Sequence, residues 1–288
     1  MRPVHTGTAW IESPWSRSSR AFAPWSIRIP SALSWWLVSK LSAYVLTYNE
    51  EAKVREALES VSWADEIVVL DSHSTDRTES ICREYTDKVY QCDFEGFGKL
   101  RNHALGLLTH DWVLSIDADE RATDELRKEI QAVLSQGPDA DAFFVPRKNL
   151  FMGRWIRHCG WYPDYRQPQL FNRHRFRYRE DLVHEGFELD GRVGYLRGHV
   201  LQYPFLNLEQ YLQKMRRYST LMAEQMALRE RRFHVHQLVT HPLFSFFKMY
   251  GLRQGFRDGM PGLILSLFYA YYTFVKYAKL WERTKAGG

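Results

Sequence analysis

The sequence predicts an α/β fold, with a mostly parallel sheet between flanking helices and a helical, basic, aromatic region after it. Between residues 41 and 134, short apolar runs alternate with segments whose apolar residues recur at helical spacing. Strands and helices that alternate in this way form parallel sheets with right-handed crossovers. From residue 206 onward the apolar residues recur every roughly 3.6 positions, which predicts further helices.

The predicted elements of the first half follow one another closely. Strands are expected at residues 41–47, 66–70, 88–90 and 112–116, each an apolar run bounded by polar or turn residues. A helix is expected after each strand, beginning near Asn49, Asp76, Gly96 and Thr123, with the second running to Tyr85. Asn, Asp and Thr suit these starts because their side chains accept hydrogen bonds from the first free N–H groups of a helix.

Two carboxylates follow the fourth predicted strand, in Asp117-Ala118-Asp119. Ligands of open α/β sheets bind beyond the carboxyl ends of the strands, so both side chains are expected to face that crevice. Paired carboxylates suit Mg²⁺ or Mn²⁺ bridging a substrate diphosphate. A solvated acidic turn is the alternative interpretation. Asp71, which ends the second strand, could accept hydrogen bonds from a ribose or a base.

The net charge of +5 conceals two halves of opposite sign. Residues 41–145 carry ten Lys and Arg against twenty-two Asp and Glu, whereas residues 146–288 carry twenty-four against eleven. This division indicates an acidic half that holds a metal and a basic half that faces an anion. Nucleic acid is one candidate for the anion, and a phospholipid or phosphorylated glycolipid surface is the other.

Several classes of protein are disfavoured by what the sequence lacks. No G-x-G-x-x-G follows the first strand and no Walker loop occurs, which argues against NAD(P) enzymes and P-loop NTPases. RNP motifs and zinc knuckles are absent, so no nucleic-acid partner is expected. The three cysteines form no C-x-x-C, so they indicate neither a zinc site nor a disulfide framework and fit a reducing compartment.

Residues 1–39 are predicted to lie outside the fold. They are rich in Ser, Pro, Trp and Arg and keep no helical or strand period. Pro24 and Pro30 interrupt the apolar stretch that a signal peptide requires. A peripheral anchor around Trp35 and Trp36 is one interpretation; we prefer Val38 as the true start, read from a GTG codon, with the upstream part an extension.

Four motifs, in this order, resemble those of glycosyltransferase family 2. They are Thr47-Tyr48-Asn49-Glu50-Glu51, Asp71-Ser72-His73-Ser74-Thr75-Asp76, Arg101-Asn102 and Asp117-Ala118-Asp119-Glu120. The resemblance implies the GT-A fold, a nucleotide-binding α/β sheet with an Asp-x-Asp metal site. In that family the second motif usually reads Asp-Asp-Gly-Ser-Thr-Asp, so Ser72 and His73 depart from it while the first and last acids are kept.

Three later segments resemble the subgroup that adds sugars to the inner core of lipopolysaccharide, in particular the β-1,4-glucosyltransferase type. They are Gly160-Trp161-Tyr162-Pro163-Asp164, Gln169-Leu170-Phe171 and Val183-His184-Glu185. The second of these is looser than the Arg-Leu-Phe expected at that place.

The resemblance implies an inverting transfer by a single in-line displacement, with Mg²⁺ or Mn²⁺ as cofactor. Metal binding is expected from Asp117 and Asp119, with His184 as a third ligand or else hydrogen-bonded in a loop. Nucleotide-sugar binding is expected from Thr47, Tyr48, Glu50, Asp71, Lys99, Arg101, Asn102 and Asp117. For Lys99 and Arg101, a solvated helix face is the equal alternative.

Inversion also needs a base within hydrogen-bond reach of the acceptor hydroxyl. Three acids compete for this role: Glu185, Asp164 and Asp181. We favour Glu185, and place Asp164 second because it lies in an aromatic loop suited to stacking on a sugar. Trp161 and Tyr162 of that loop are expected to bind the acceptor, with ordinary core packing as the alternative.

The basic half ends in a predicted helix at 262–281. Its uncharged run, residues 263–275, is shorter than the roughly 20 residues that span a bilayer. Tyrosines in the run and Lys276, Lys279 and Arg283 after it favour an interfacial helix on anionic lipid, with packing on the catalytic domain as the alternative.

These features predict three regions in the chain. A catalytic domain is expected at 41–205, with a nucleotide-sugar half at 41–145 and an acceptor half at 146–205. A helical membrane-associating region is expected at 206–288, after the extension at 1–39.

The sequence therefore predicts a metal-dependent glycosyltransferase, peripheral on the cytoplasmic face of a bacterial inner membrane. It is expected to transfer a sugar to a lipid-borne glycan such as the lipopolysaccharide inner core; UDP-glucose as donor follows from the subgroup resemblance alone. The alternatives are a non-catalytic nucleotide- or glycan-binding protein and a sugar nucleotidyltransferase, which releases pyrophosphate instead of a nucleoside diphosphate.

Overall fold

The computed structural model describes residues 39–180 and 186–286. The expectations for residues 1–38, including a start at Val38, lie outside the described residues. The strands are, in chain order, β1 (Leu41–Thr47), β2 (Glu66–Asp71), β3 (Val89–Gln91), β4 (Trp112–Asp117), β5 (Glu120–Ala122), β6 (Ala142–Phe144), β7 (Arg147–Phe151), β8 (Arg154–Trp155), β9 (Leu170–Asn172), β10 (Phe176–Tyr178), β11 (Phe187–Leu189), β12 (Val193–Tyr195) and β13 (Val200–Gln202).

Helices surround these strands and end the chain. The α-helices are α1 (Val54–Ser60), α2 (Thr78–Cys82), α3 (Phe97–Leu107), α4 (Asp124–Gln136), α5 (Leu208–Leu228), α6 (Gln237–Phe247) and α7 (Gly259–Ala286). A π-helix (Lys248–Leu252) and a 3₁₀-helix (Gly255–Asp258) connect α6 to α7.

A seven-stranded sheet in the order β12-β6-β9-β4-β1-β2-β3 forms the frame of the molecule. β1 pairs in parallel with β2 and β4, and the pairs β2–β3 and β6–β12 are also parallel, whereas β9 runs antiparallel between β4 and β6. Two smaller sheets have the orders β5-β13-β7-β8 and β10-β11. The predicted fold class, a mostly parallel sheet with flanking helices and a helical C-terminal region, is confirmed.

β1 is the central strand of the parallel part, and all of its residues are buried. A parallel strand covered on both faces reads as a continuous apolar run, which is the pattern of residues 41–46. In the register of the sheet, Thr47 lies opposite Asp71 of β2, and Leu46 lies opposite Asp117 of β4. The carboxyl ends of β1, β2 and β4 therefore meet at one edge, as the sequence predicts.

Two predicted helix boundaries were wrong. α1 begins at Val54 and not at Asn49, which has a left-handed backbone (φ +52°). The side-chain oxygen of Asn49 accepts a hydrogen bond from the Thr75 N–H in the next loop, so it is not used as a helix cap. α2 ends at Cys82, before the predicted Tyr85. The predicted cap of α4 is confirmed, since the Thr123 side chain accepts from the third N–H of that helix.

Glu66, at the start of β2, is a buried carboxylate surrounded by donors. It accepts hydrogen bonds from the Lys88 ammonium, the Ser42 hydroxyl and the Thr109 N–H. Burial by itself raises the pKa of Glu66, but these donors outweigh it and lower the pKa to about 2.

We expect this carboxylate to make folding sensitive to acid. Its pKa is lower in the folded chain than the ordinary 4.5, so its contribution is complete above that value and is lost as the pH falls towards about 2. Glu66→Gln should lower the free energy of unfolding at neutral pH by about 1–3 kcal/mol. It should also flatten the decline in acid. Urea unfolding at a series of pH values measures both effects, and parallel pH profiles for the two proteins would contradict the assignment.

Helices α5, α6 and α7 pack together at the end of the chain. α6 and α7 lie side by side, with the His241 ring stacked on the Tyr277 ring at 4.8 Å. Lys279 of α7 donates hydrogen bonds to two hydroxyl groups of α5. Near its start, α7 packs on β7 through Leu265, which shares a cluster with Phe151. Among the described residues, no helix has the length and apolar character needed to cross a membrane.

Candidate active site

The loops that follow β1 and β2 are hydrogen-bonded to each other at the carboxyl edge of the sheet. The Asn49 N–H donates to Ser74 Oγ at 2.8 Å, and Asn49 Oδ1 accepts from the Thr75 N–H at 2.8 Å. The Glu50 N–H donates to Thr78 Oγ1, also at 2.8 Å. These bonds fix the shape of the turn in which nucleotide contacts were predicted.

Three of the predicted nucleotide contacts lie in this turn, in different environments. The Tyr48 ring is 58% exposed and available for stacking. The Thr47 hydroxyl is buried and has no hydrogen-bond partner within the described part of the chain. The Glu50 carboxylate forms an ion pair with Lys53 at 2.8 Å. The turn thus offers an aromatic face and an unsatisfied hydroxyl, while its acid is paired with a neighbour.

Asp71 is fully buried at the end of β2. Its carboxylate accepts hydrogen bonds from the Ser74 N–H and from Gln91 Nε2, both at 2.9 Å, and from the Ser74 hydroxyl. Both carboxylate oxygens are therefore engaged in shaping the loop. A direct contact between Asp71 and a nucleoside stays a prediction.

His73 stands at the place where the family motif usually has glycine, and the structure shows why glycine suits it. The backbone of His73 is left-handed, with φ +60°. A residue with a Cβ is disfavoured in this conformation by roughly 1–2 kcal/mol, whereas glycine adopts it readily. The His73 ring pairs with Asp93 at 3.0 Å, but both side chains are exposed, so the pair adds little.

We expect His73→Gly to raise the free energy of unfolding by about 0.5–1 kcal/mol, because the relief of backbone strain exceeds the exposed pair that is lost. His73→Ala is the matched control, since it removes the same ring but keeps the Cβ. Thermal and urea unfolding of the three proteins tests this. A His73→Gly protein that is no more stable than His73→Ala would contradict the strain argument.

Asp117 is the last residue of β4. Arg101 of α3, which lies in the protein interior, holds the Asp117 carboxylate in place. Arg101 Nη2 donates to both carboxylate oxygens, at 2.9 and 3.2 Å. Arg101 Nη1 donates to Ser115 Oγ at 2.9 Å and to Tyr44 Oη at 3.3 Å. The Arg101 side chain is only 4% exposed, whereas Asp117 keeps 33% of its side chain exposed. Arg101 therefore lies in the interior and not on a solvated helix face, and it orients Asp117 towards the open edge of the sheet.

Asp119 lies in the turn between β4 and β5, in a crowd of negative charge. Burial raises the pKa of Asp119 to about 7, and the charges of Asp117 and Glu120 add to the shift. Lys53 and Lys214 oppose it. A bound cation reduces the repulsion between like charges that are held close together.

Asp164 lies on the loop between β8 and β9, on the side where the acceptor was predicted. Its carboxylate forms an ion pair with Arg166 at 2.7 Å and accepts a hydrogen bond from Asn149 Nδ2 at 3.3 Å. The Arg147 guanidinium donates to its backbone carbonyl at 3.2 Å. This candidate base is therefore held by cationic and amide donors.

Trp161 and Tyr162, which precede Asp164, contact other side chains of the protein. Such contacts are expected if the two rings serve core packing, the alternative to acceptor binding. The Trp161 indole N–H donates to Tyr269 Oη of α7 at 3.2 Å. The Tyr162 hydroxyl is hydrogen-bonded to the His199 ring at 3.1 Å. Both rings remain partly exposed. Stacking on an acceptor sugar stays a prediction for each.

Lys99 and Asn102, both on α3, have local partners. Lys99 forms an ion pair with Glu95 at 2.8 Å on the exposed side of the helix. Asn102 donates to the Tyr178 carbonyl at 2.9 Å and accepts from the Tyr178 N–H at 3.0 Å, so it joins α3 to β10. Contacts of these two side chains with a nucleotide sugar stay predictions.

The predicted residues Asp181, His184 and Glu185 lie outside the described residues. The segment just before them is placed close to α3. A Cβ on Gly98 would lie 2.0 Å from the Arg179 carbonyl oxygen, so only glycine allows this approach. Arg179 and the start of α3 are thereby fixed against each other.

Comparison with known proteins places the chain in a family. The sequence pattern of glycosyl transferase family 2 matches residues 42–200, which include the Asp117–Asp119 turn and the loops after β1 and β2. The chain belongs to glycosyl transferase family 2. The predicted enzyme class, a glycosyltransferase, is confirmed by this membership.

Similar proteins include bacterial glycosyltransferases of nearly the same length. A lipopolysaccharide core biosynthesis glycosyltransferase, LpsC, of Rhizobium meliloti is 30% identical over 254 residues, which cover 84% of this chain and 92% of the relative. An uncharacterized glycosyltransferase of Rickettsia typhi is 28% identical over 256 residues, covering 85% of this chain and 88% of the relative. Among solved structures, the mannosyltransferase PcManGT of Pyrobaculum calidifontis is similar with a TM-score of 0.49 and 15% identity over 90% of each chain.

The Asp-x-Asp turn of this family 2 enzyme has a donor set that fits a divalent cation. Within residues 39–180 and 186–286, no group of three or more His, Cys, Asp or Glu side chains is placed to hold a metal. Mg²⁺ requires no such group, because one or two carboxylates and the phosphates of a bound nucleotide complete its shell. Asp117, partly exposed, and Asp119, with its raised pKa, supply two carboxylates of this kind.

Glu120 is a site residue to which the sequence analysis gave no role. It is 1% exposed and forms an ion pair with Arg147 at 2.6 Å. It also accepts hydrogen bonds from Gln169 Nε2 at 3.0 Å and from the Asp117 N–H at 3.1 Å. Glu120 therefore ties the Asp-x-Asp turn to β7 and to the segment before β9. The sequence hinted at this network only through Gln169, which stands where arginine was expected. In the structure, Arg147 provides the guanidinium that pairs with Glu120.

Proposed function

We propose that this family 2 enzyme is an inverting, metal-dependent glycosyltransferase that transfers glucose from UDP-glucose to a lipid-borne glycan such as the lipopolysaccharide inner core. The observation that carries the proposal is the position of Asp117 and Asp119, crowded carboxylates at the carboxyl edge of a parallel sheet. Nucleotides bind at this edge in α/β sheets. The name of the Rhizobium meliloti relative supports lipopolysaccharide core as the acceptor class.

In the proposed reaction, the acceptor hydroxyl oxygen attacks the anomeric carbon as the bond from that carbon to the nucleoside diphosphate breaks. The electron pair leaves with the diphosphate, the hydroxyl proton passes to a carboxylate, and the configuration inverts. When bound at Asp117 and Asp119, a divalent cation would neutralise charge on the departing diphosphate. Arg101 keeps Asp117 oriented for this task, and the charges of Lys53 and Lys214 favour the ionised form of Asp119.

Glu185 is the proposed base, with Asp164 and Asp181 as the competing carboxylates. Asp164 is engaged in an ion pair with Arg166. Accepting a proton would weaken that pair, which supports placing Asp164 second. His184, next to Glu185, is the proposed third metal ligand.

The proposed contacts with the nucleotide sugar follow the exposure of the side chains. Tyr48 has an open ring face for the base, and the unsatisfied Thr47 hydroxyl is suited to a polar group of the nucleoside. Asp71 and Glu50 would contribute by shaping the turn. Lys99, Arg101 and Asn102, all on α3, would contribute on the side of the site where the diphosphate binds. Trp161 and Tyr162 would contact the acceptor.

We infer a peripheral position on the cytoplasmic face of the inner membrane. A charged sugar nucleotide does not cross a bilayer unaided, because its phosphates would lose their hydration. An enzyme that joins such a donor to a lipid-borne acceptor therefore works at the surface where the donor is made.

The deciding experiment measures nucleotide release from UDP-glucose, UDP-N-acetylglucosamine and GDP-mannose, with Mg²⁺, Mn²⁺ or a chelator and a truncated lipopolysaccharide. We expect UDP release that requires UDP-glucose, the acceptor and the metal. Release from another donor would replace glucose in the proposal. Pyrophosphate release would indicate a nucleotidyltransferase, and binding without any release would indicate a non-catalytic binding protein.

A matched pair of variants links that activity to the site. Asp119→Asn should lower acceptor-dependent release by about 10²–10³-fold, whereas Asp139→Asn, an equal charge change at an exposed loop position, should leave it unchanged. Equal activity of the two variants would contradict the role proposed for Asp119.

A further inference from the structure

One side of α6 carries apolar side chains that no described residue covers. Val239, Leu243, Phe244 and Phe247 are between 58% and 65% exposed, and we refer to these four as the α6 face. They recur at helical spacing, and no residue of α6 is buried. Contiguous exposed apolar patches of this kind mark interaction surfaces.

The opposite side of α6 is occupied, which fixes the direction of the α6 face. His241 stacks on Tyr277, and the Ser245 hydroxyl accepts a hydrogen bond from Thr273 of α7. Leu238 belongs to a cluster with buried residues of α5 and α7. The α6 face therefore points away from the body of the protein and is not a gap in its core.

The charge of the surrounding segment indicates the partner. Residues 229–257 carry six Lys and Arg and a single acid, Glu230. Arg231 and Arg232 precede α6 and are exposed, and Lys248 and Arg257 follow it and are exposed. Apolar side chains flanked by cations are complementary to a bilayer that carries negative headgroups. Two copies of this face would instead bring like charges together.

The cations of α7, which the sequence suggested for lipid contact, are engaged within the protein. Lys279 donates to Ser219 Oγ at 2.8 Å, and Arg283 forms an ion pair with Glu224. Lys276 lies over the Tyr277 ring at 5.2 Å. The segment around α6 combines exposed apolar side chains with exposed cations on both sides of the helix.

We propose that the α6 face docks on an anionic lipid bilayer, with its apolar side chains in the headgroup region and the flanking cations on lipid phosphates. The inference rests on the proposed function for its purpose, since a lipid-borne acceptor gives the enzyme a reason to sit on a membrane. The α6 face would then set how the enzyme lies on that surface.

Vesicle flotation with the full chain tests the proposal. The vesicles are phosphatidylcholine alone, or phosphatidylcholine with about 30% phosphatidylglycerol, and contain no glycan acceptor. We expect binding to the anionic vesicles that weakens as salt is added, because salt screens exposed charges. Leu243→Glu/Phe247→Glu should weaken this binding about tenfold or more, because it places two acids among the lipid phosphates.

A charge-matched control separates the α6 face from net charge. Gln136→Glu/Val193→Glu adds the same two acids at exposed positions of the catalytic part and should bind as the wild type does. Equal loss in both variants, or equal binding to neutral and anionic vesicles, would overturn the proposal. So would a wild-type molar mass that rises with concentration and falls to a monomer in Leu243→Glu/Phe247→Glu, which would assign the face to a second copy.

The vesicle result can be interpreted whatever the transferase assay shows. Flotation requires neither donor nor acceptor, so an incorrect sugar or acceptor leaves it unchanged. Conversely, a soluble truncated acceptor tests transfer without a membrane. Loss of vesicle binding with retained transfer to that soluble acceptor is the expected behaviour of Leu243→Glu/Phe247→Glu.

Discussion

Replacing Asp119 by asparagine is expected to lower glycosyl transfer by about 10²–10³-fold, the usual cost of removing one electrostatic contributor to a transition state. The amide keeps the size and the neutral hydrogen bonds of the side chain but removes a negative charge that a divalent cation requires. Mn²⁺ affinity, followed by calorimetry with UDP present, should fall together with the rate.

The same substitution is expected to stabilise the metal-free protein. Burial and the charges of Asp117 and Glu120 raise the pKa of Asp119 from 3.8 to about 7, so ionising it opposes folding. The unfolded chain loses this proton first, and the free energy of unfolding therefore declines as the pH rises from about 4 through 7. At pH values above that range, Asp119→Asn should be more stable by on the order of 1–2 kcal/mol.

Urea unfolding with a chelator, at a pH below and a pH above this window, measures the effect. The stability gain should be present at the higher pH and small at the lower one, and Asp139→Asn should show neither. An Asp119→Asn protein that is less stable than the wild type at both pH values would contradict the crowding of carboxylates. A gain in stability together with a loss of transfer would mean that the Asp119 charge destabilises the folded protein but is required for transfer.

The strands and the edge of the sheet could be predicted because they depend on local patterns. A parallel strand covered on both faces must be apolar throughout, so β1, β2 and β4 are visible as runs that end where polar residues begin. The acids at those ends, Asp71 and Asp117, then come to one edge by topology alone. This part of the candidate site required no knowledge of side-chain partners.

The partners of the side chains could not be predicted, because they come from distant parts of the chain. Arg101 looks like a surface residue of an amphipathic helix, yet its guanidinium is buried against Asp117. Asn49 looks like a helix cap, yet its side chain binds the loop after β2. Lys279 looks like a lipid-facing cation, yet it binds α5. In each case the residue type was informative, and the structure supplied the group that it contacts.

The largest loss of stability is expected from Arg147→Met. This change leaves the Glu120 carboxylate, which is 1% exposed, without its cation. Breaking a buried pair by removing one partner typically costs about 3–5 kcal/mol, because the remaining charge cannot be hydrated. We expect a loss of this size in the free energy of unfolding, measured with urea at neutral pH.

The double variant Arg147→Met/Glu120→Gln shows how much of that loss is due to the unpaired charge of Glu120. Replacing both members of a buried pair is often nearly neutral, so the double variant should recover most of the stability lost in Arg147→Met. A double-mutant cycle with Glu120→Gln gives the coupling energy, and additive losses would contradict a stabilising contact between the two side chains. Transfer should not recover with stability, because the neutral amide holds the Asp117 N–H and Gln169 less strongly than the carboxylate does. Recovered stability with persistent loss of transfer would therefore assign Glu120 to the alignment of the Asp-x-Asp turn.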